Sequence, residues 1–330
     1  MKVLITGITG FVGSHLAEYI LDLNEGHDVY GICRWRSPKD NLANVYTRVR
    51  LLEADISDLS ALTRHFRAIK PDIIFHLAAQ SYVLTSFNSP IQTLSANVLG
   101  TANLLEAVRL SDIDPVIHIC SSSEVYGQVT EADLPITEAC PFRPASPYAV
   151  SKVGEDMLGL QYWLSYRIKT IRTRMFTHTG PRRGDVFAFS AFAKQIAAVE
   201  LDLQEPVVRV GNLKSVRTIC DVRDAVKAYW IMVHKCPPGE VYNIGGDKTV
   251  TIGEGLEKLL SHARRPLEVR VDSELLRPSD VTLQIPSTEK FRRETGWSPE
   301  IPLEKTLVDI LDYWRDELTR NSWKALSVVK

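Results

Sequence analysis

The chain has 330 residues, 45% of them apolar, which suffices for one large core with a smaller lobe or for two domains. Lys plus Arg (39) nearly balances Asp plus Glu (40), so no global field draws the molecule to nucleic acid or to an anionic membrane. Any anion site must be local. Five cysteines, Cys33, Cys120, Cys140, Cys220 and Cys236, show no CxxC or metal-ligand spacing and an odd count, which argues for a reducing cytoplasm over a disulfide scaffold. The apolar start MKVLITGITGFVG is broken by threonines and three glycines and lacks a cleavage site, so it does not read as a signal peptide. No apolar run approaches the roughly 18 residues of a membrane span.

Lys2 to Thr6 is a short β-branched strand running into Gly7, and Phe11 to Leu23 follows as an amphipathic helix. Further strands are expected at Asp28 to Cys33, Val49 to Glu53, Ile73 to Ala79 and Val116 to Ser121, with helices at Leu59 to Ile69 and Ile91 to Leu110. Such alternation with short connections predicts right-handed crossovers and an α/β fold with a doubly wound parallel sheet of the Rossmann type. The second half is less regular. After a proline cluster from Pro135 to Pro147 come a helix carrying Tyr148 and Lys152, a strand at Lys169 to Phe176 and the basic loop Gly180-Pro181-Arg182-Arg183-Gly184. Helices are expected near Ala188 to Leu201, Val222 to His234, Ile252 to His262 and Leu303 to Thr319, with a strand near Val207 to Val210. The expected division is a Rossmann domain over 1–175 plus about 215–240, and a smaller mixed α/β substrate lobe over about 176–214 and 241–330.

Gly7-Ile8-Thr9-Gly10-Phe11-Val12-Gly13 lies at the first strand-to-helix junction, where glycines permit a tight turn and let backbone amides approach a pyrophosphate. Gly7, Thr9, Gly10, Phe11, Val12 and Gly13 are therefore expected to hold a dinucleotide. At the end of the second strand, where an acid would bind a ribose hydroxyl, the chain has Arg34, Arg36 and Ser37. Two guanidinium groups and a hydroxyl suit a ribose phosphate, which favours NADP, with NAD as the alternative. Asp55 and Ile56, after the third strand, are expected beside the adenine.

Ser146-Pro147-Tyr148 reads as a capped helix start, so Tyr148 and Lys152, four apart, share one face. A phenol ionises near pH ~10, and work near neutrality needs a shift of about three units from positive charge such as Lys152 and an oxidised nicotinamide. Upstream, Ser121-Ser122-Ser123-Glu124 adds a carboxylate to this hydroxyl, phenol and amine set. Plain hydride transfer does not need it; removing a proton from carbon does.

Further motifs are Phe75-His76-Leu77-Ala78-Ala79-Gln80-Ser81, Asn97-Val98-Leu99-Gly100-Thr101, Pro181-Arg182-Arg183-Gly184 and Arg277-Pro278-Ser279-Asp280-Val281. With these, nearly the whole chain resembles an extended short-chain dehydrogenase/reductase of the GDP-mannose 4,6-dehydratase family, in the NAD-dependent epimerase/dehydratase superfamily. The resemblance implies that Tyr148, supported by Lys152, takes the proton of the sugar hydroxyl at carbon 4, that Ser122 hydrogen-bonds that oxygen, and that Glu124 removes the proton at carbon 5 before the carbon 6 hydroxyl leaves. It implies that Leu77, Ala78, Ala79 and His178 contact the cofactor. A GDP-sugar would meet Gln80, Ser81, Ser86, Thr177, Arg183, Arg217, Arg277 and Asp280. Asn97 is expected to hold a helix irregularity. Relatives of this kind form dimers through helices near Ile91 to Leu110 and Tyr148 to Tyr166, some pairing further, so a homodimer or homotetramer is implied.

Two positions depart from the pattern. Phe176-Thr177-His178 stands where many relatives have Phe-Asn-His, and Arg217-Thr218-Ile219 where many have Arg-Asp and an aromatic residue. Both leave a GDP-manno-heptose open beside GDP-mannose. The other reading is a reductase of the GDP-4-keto-6-deoxy sugar, which also carries an acid at the position of Glu124. A 4-epimerase fits less well, since such relatives put a small residue there, and the complete set argues against a non-catalytic nucleotide sensor.

Overall fold

The apolar runs that read as strands close into one parallel sheet covered by helices on both faces, which is why they alternate so little between apolar and polar residues. The computed structural model describes residues 1–276 and 281–327, with side chains to residue 320. Arg277 and Asp280, expected at the substrate, lie outside the described residues. The first half runs β1 (Lys2–Thr6), α1 (Phe11–Asp22), β2 (Asp28–Cys33), β3 (Val49–Glu53), α2 (Leu59–Ile69), β4 (Ile73–His76), α3 (Val83–Asn88), α4 (Pro90–Leu94), α5 (Gly100–Ser111) and β5 (Val116–Ser122). Then come α6 (Pro147–Tyr166), β6 (Thr170–Met175), β7 (His178–Thr179), α7 (Ala188–Glu200), β8 (Val207–Val210), β9 (Val216–Thr218), β10 (Cys220–Asp221), α8 (Val222–Lys235) and β11 (Val241–Ile244). The chain continues through β12 (Thr249–Thr251), α9 (Ile252–Ser261), β13 (Glu268–Val271), β14 (Leu283–Gln284), α10 (Glu289–Thr295) and α11 (Leu303–Ser327).

The main sheet has seven parallel strands in the order β11-β6-β5-β4-β1-β2-β3. Alternate residues of β1 serve opposite faces: Val3 and Ile5 pack with Leu16, Ile20, Tyr229 and Met232, and Leu4 packs with Phe66, Leu104 and Ile117. Each such fully buried aliphatic side chain contributes roughly 1.5–3 kcal/mol. A separate apolar cluster joins α7, α9 and α11 through Phe192, Ile196, Leu256, Leu259, Leu307 and Ile310. Small sheets β13-β8 and β12-β9-β14 complete this second lobe.

Three features differ from the sequence reading. The strand expected over Ile73 to Ala79 stops at His76, because Leu77 and Ala78 turn their amides onto Thr6 Oγ1, each at 3.1 Å, and leave the ladder. The helix expected over Ile91 to Leu110 is split by a π-helical turn at Ser95–Leu99, which is the irregularity expected at Asn97. Asn97 in that turn accepts from Gln80 N at 2.8 Å and donates to Gln80 O and Ser151 Oγ, so it ties the irregular turn to the loop after β4 and to α6. Third, β11 pairs with β6 as the edge of the main sheet, although the sequence grouped it with the second lobe.

Candidate active site

Strand order reverses between β1 and β4, so the connections above their carboxyl ends diverge and leave a crevice at that switch point. Gly7 follows β1 directly with φ +69°, and a Cβ there would lie 3.0 Å from the Ala78 backbone beyond β4. A Cβ on Gly13 would come within 2.3 Å of Gly7 O. The turn is thus closed to larger residues, and α1 starts at Gly10 without a side-chain cap, its first-turn amides directed at the crevice. Such a cradle fits a pyrophosphate.

The cleft above it measures about 1160 Å³ and runs from this turn into the second lobe. Thr9, Gly10, Phe11, Val12, Arg34, Ser37, Asp55, Ile56, Leu77, Ala78 and Ala79 all line it. Asp55 is held by Ser57, accepting from its amide at 2.9 Å and its hydroxyl at 2.8 Å, and those bonds hold the carboxyl below its ordinary range. Arg36 does not reach the wall; its guanidinium stacks 4.6 Å over Trp35. Of the two arginines in this stretch, Arg34 is the one that lines the cleft, as does Ser37.

Deeper in, β5 ends at Ser122 and a tight turn over Ser123–Tyr126 carries Glu124, while α6 presents Tyr148 and Lys152. The helix starts where the sequence indicated, with Ser146 Oγ accepting from Ala149 N at 3.0 Å and Pro147 in the first turn. Lys152 Nζ donates to Cys120 O and to Glu155 Oε2, both at 2.9 Å, and lies 5.9 Å from the Tyr148 ring centroid. Burial pushes the Tyr148 phenol up, against opposing pulls from Lys152 and the Ser122 hydroxyl. The expected lowering is thus not achieved by the protein's own groups, because burial outweighs the pull of Lys152, whose ammonium is also paired with Glu155. Glu124 donates its amide to Ser122 Oγ at 3.2 Å, and Gln284 Nε2 makes a long contact of 3.5 Å to Glu124 Oε1. Nothing local to the serine run signals Gln284, which arrives on a two-residue strand paired in register with Arg217.

The far wall is built from the second lobe. Arg217 is buried and donates to the backbone oxygens of Val216 and Val281, with its side chain at the cleft. The two arginines of the basic loop have opposite fates. Arg182 pairs with Glu18 and bonds Ser14 Oγ and Asn41 O, locking the loop onto α1. Arg183 lines the cleft between Phe187 (3.6 Å) and Phe11 (4.9 Å), without a carboxylate partner among the described residues, and burial lowers it to about 10. His178 stacks on Phe11 at 5.8 Å, and burial lowers it to about 3, so it is neutral. Thr177 and Ser81 also line the cleft. Gln80 does too, with its side-chain amide engaged by Tyr82 and Thr93. Ser86 stays out of the cleft, fully buried and donating to Val83 O at 2.6 Å. Among the described residues no cluster of His, Cys, Asp and Glu could hold a metal ion.

A family model described as GDP-mannose 4,6 dehydratase matches residues 4–310. The chain belongs to the GDP-mannose 4,6-dehydratase family. Among members and relatives of that family, it is 34% identical over 317 residues to the GDP-6-deoxy-D-mannose reductase of Pseudomonas aeruginosa, covering 96% of this chain and 98% of that one. It is 32% identical over 351 residues to the GDP-mannose 4,6-dehydratase of Yersinia enterocolitica, covering 94% and 92%. The solved structure of RMD from Pseudomonas aeruginosa complexed with NADPH superposes with a TM-score of 0.83 at 31% identity, covering 96% and 99%. Like that structure, this family member has the epimerase/dehydratase form of the Rossmann fold.

Proposed function

We propose that the protein is an NADP-dependent nucleotide-sugar 4,6-dehydratase that converts GDP-mannose, or a GDP-manno-heptose, to the 4-keto-6-deoxy sugar. One observation carries the reading: Glu124 sits at the cleft with Ser122 and Tyr148, in contact with the Gln284 amide. The bound dinucleotide supplies the hydride acceptor and, later, the donor. Tyr148 takes the proton from the carbon 4 hydroxyl as hydride leaves that carbon, and Ser122 hydrogen-bonds the oxygen as it becomes a ketone. The ketone acidifies carbon 5. Glu124 removes that proton and returns it to the carbon 6 hydroxyl, which departs as water and leaves a carbon 5–carbon 6 double bond conjugated to the ketone; carbon 6 would then take back the hydride and carbon 5 a proton exchanged from solvent. The sheet lobe holds the dinucleotide in this reading, and Arg217, Arg183 and Arg277 neutralise the GDP diphosphate.

The 34% identity to a reductase supports a second reading, reduction of the keto sugar by the same Tyr148 acting as acid. Incubation with GDP-mannose and oxidised cofactor in deuterated water separates the two. Dehydration gives a 4-keto-6-deoxy product labelled at carbon 5 with no net cofactor consumed. Turnover of only the keto sugar, with one NADPH used per product, would establish the reductase instead.

Arg34 and Ser37 at the ribose end support NADP over NAD. Replacing Arg34 by Ala is expected to weaken NADPH binding about tenfold relative to NADH, in line with loss of one charge-assisted phosphate contact. Cofactor fluorescence titrations read both constants. The five free thiols support a cytoplasmic location, and no described helix is long and apolar enough to cross a membrane.

A homodimer is part of the same reading. Val150, Met157 and Leu164 recur every seven residues on α6 and are exposed, Leu164 at 59%, with Ile91 and Leu99 exposed on the neighbouring segments. A helical face of this kind suits a two-fold contact with its copy. Leu164→Lys is expected to convert a dimer to a monomer in light-scattering measurements; an unchanged mass removes this face from the interface.

A further inference from the structure

Tyr148, Lys152 and Glu155 succeed one another on a single buried face of α6, and only the first two have a role in the chemistry above. Glu155 is 1% exposed, its Oε2 accepts from Lys152 Nζ at 2.9 Å, and its Oε1 has no hydrogen-bond partner among the described residues. A fully buried carboxylate with an unsatisfied oxygen is costly, and a stable fold keeps such a group only against an opposing charge. Here that charge is the ammonium of the catalytic lysine. We propose that Glu155 is a positioning residue for Lys152, whose carboxylate draws the ammonium to the Cys120 carbonyl and offsets its charge at the Tyr148 phenol. The inference rests on Tyr148 and Lys152 being the hydride-transfer pair.

Around Lys152 it is Glu155 that sets this balance; Arg183, from the loop before α7, also acts on Tyr148 but is the same in every variant compared. Asp156, its neighbour, is committed to Arg172 and Arg174. His76 and His118, which face Lys152 from β4 and β5, are held neutral by burial, both lowered to about 3. Burial also raises the Cys120 and Tyr229 protons, so neither carries charge at neutral pH. Glu155 itself is raised by burial to about 7, with Lys152 pulling the other way. In the alkaline range where a phenol ionises, Glu155 is therefore an anion beside Lys152 and raises the Tyr148 phenol. Glu155 thereby increases the share of Tyr148 held as phenol over phenolate.

The test reads Tyr148 directly. Phenolate absorbance is titrated for the NADP-bound protein and its Tyr148→Phe counterpart, and the difference isolates Tyr148. In Glu155→Gln, which keeps the shape and removes the charge, the phenol is expected to ionise at least about one pH unit lower. Glu155→Met provides the same comparison should the glutamine variant not fold, and NADPH fluorescence confirms that the site of either is intact. A phenol titration that is unchanged or moves upward in the folded variant overturns the proposal. No sugar is present in this measurement, so its failure is distinct from failure of the substrate reading. Where turnover is measurable, the acidic limb of its pH profile moves down by the same amount.

Discussion

Glu124→Gln is expected to lower turnover of GDP-mannose by about 10²–10⁴-fold while leaving NADPH affinity unchanged, the range associated with loss of a positioned acid–base group. The substitution keeps the side-chain volume and an oxygen for the Gln284 amide, so the turn over Ser123–Tyr126 should persist. What it removes is a basic carboxylate at the cleft. Oxidation at carbon 4 depends on Tyr148 and Lys152, which the change does not touch, so a single-turnover mixture of variant, oxidised cofactor and GDP-mannose should still develop reduced-cofactor absorbance. That absorbance should then persist, because without abstraction at carbon 5 no acceptor forms at carbon 6. Wild-type protein should show it only transiently. Retained dehydration with full solvent label at carbon 5 would remove Glu124 from the mechanism.

The parts of the site built from neighbouring residues were legible in the sequence. The turn from Gly7 to Gly13 and the start of α6 at Ser146-Pro147 are local devices, in which steric room, a cap and a fixed φ declare themselves in a few letters. The strands were legible for a related reason, since burial on both faces writes a continuous apolar run. Long-range pairing left no such trace. Gln284 meets Glu124 across 160 positions because β14 pairs with β9, and a two-residue strand carries no periodicity. Arg34 and Arg36 looked equivalent in a basic stretch; stacking on Trp35 separates them. Likewise Arg182 and Arg183 are told apart by distant partners: Glu18, on a helix from the other end of the chain, captures the first, and Phe11 and Phe187 flank the second. The helix irregularity expected at Asn97 is present, but its π form and its partners, Gln80 and Ser151, were not legible because they lie in tertiary contacts and not in helix propensity.

The same tertiary logic predicts the largest loss of stability at a residue outside the chemistry. Asp156 is fully buried on α6, with Oδ1 accepting from Arg172 Nη1 and Oδ2 from Arg174 Nε, both at 2.8 Å. Arg174 also donates to Tyr126 OH at 3.0 Å and Glu138 O at 2.8 Å, and Tyr126 OH donates in turn to Asn243 Oδ1 at 2.7 Å. One carboxylate thus fastens α6, which carries Tyr148 and Lys152, to β6, to the turn bearing Glu124 and, through Asn243, to β11. Asp156→Ala leaves two buried guanidinium groups sharing no anion, and is expected to cost about 3–5 kcal/mol of unfolding free energy in denaturant titration. Asp156→Asn keeps one acceptor oxygen and the side-chain shape but not the charge, so its loss should lie between that of the alanine variant and wild type. Because the pair is structural, both variants that remain folded should keep the pH dependence of the Tyr148 phenol within a few tenths of a unit of wild type, unlike Glu155→Gln one residue away. A loss below about 1 kcal/mol for Asp156→Ala would show that α6 is held in place by its apolar contacts alone.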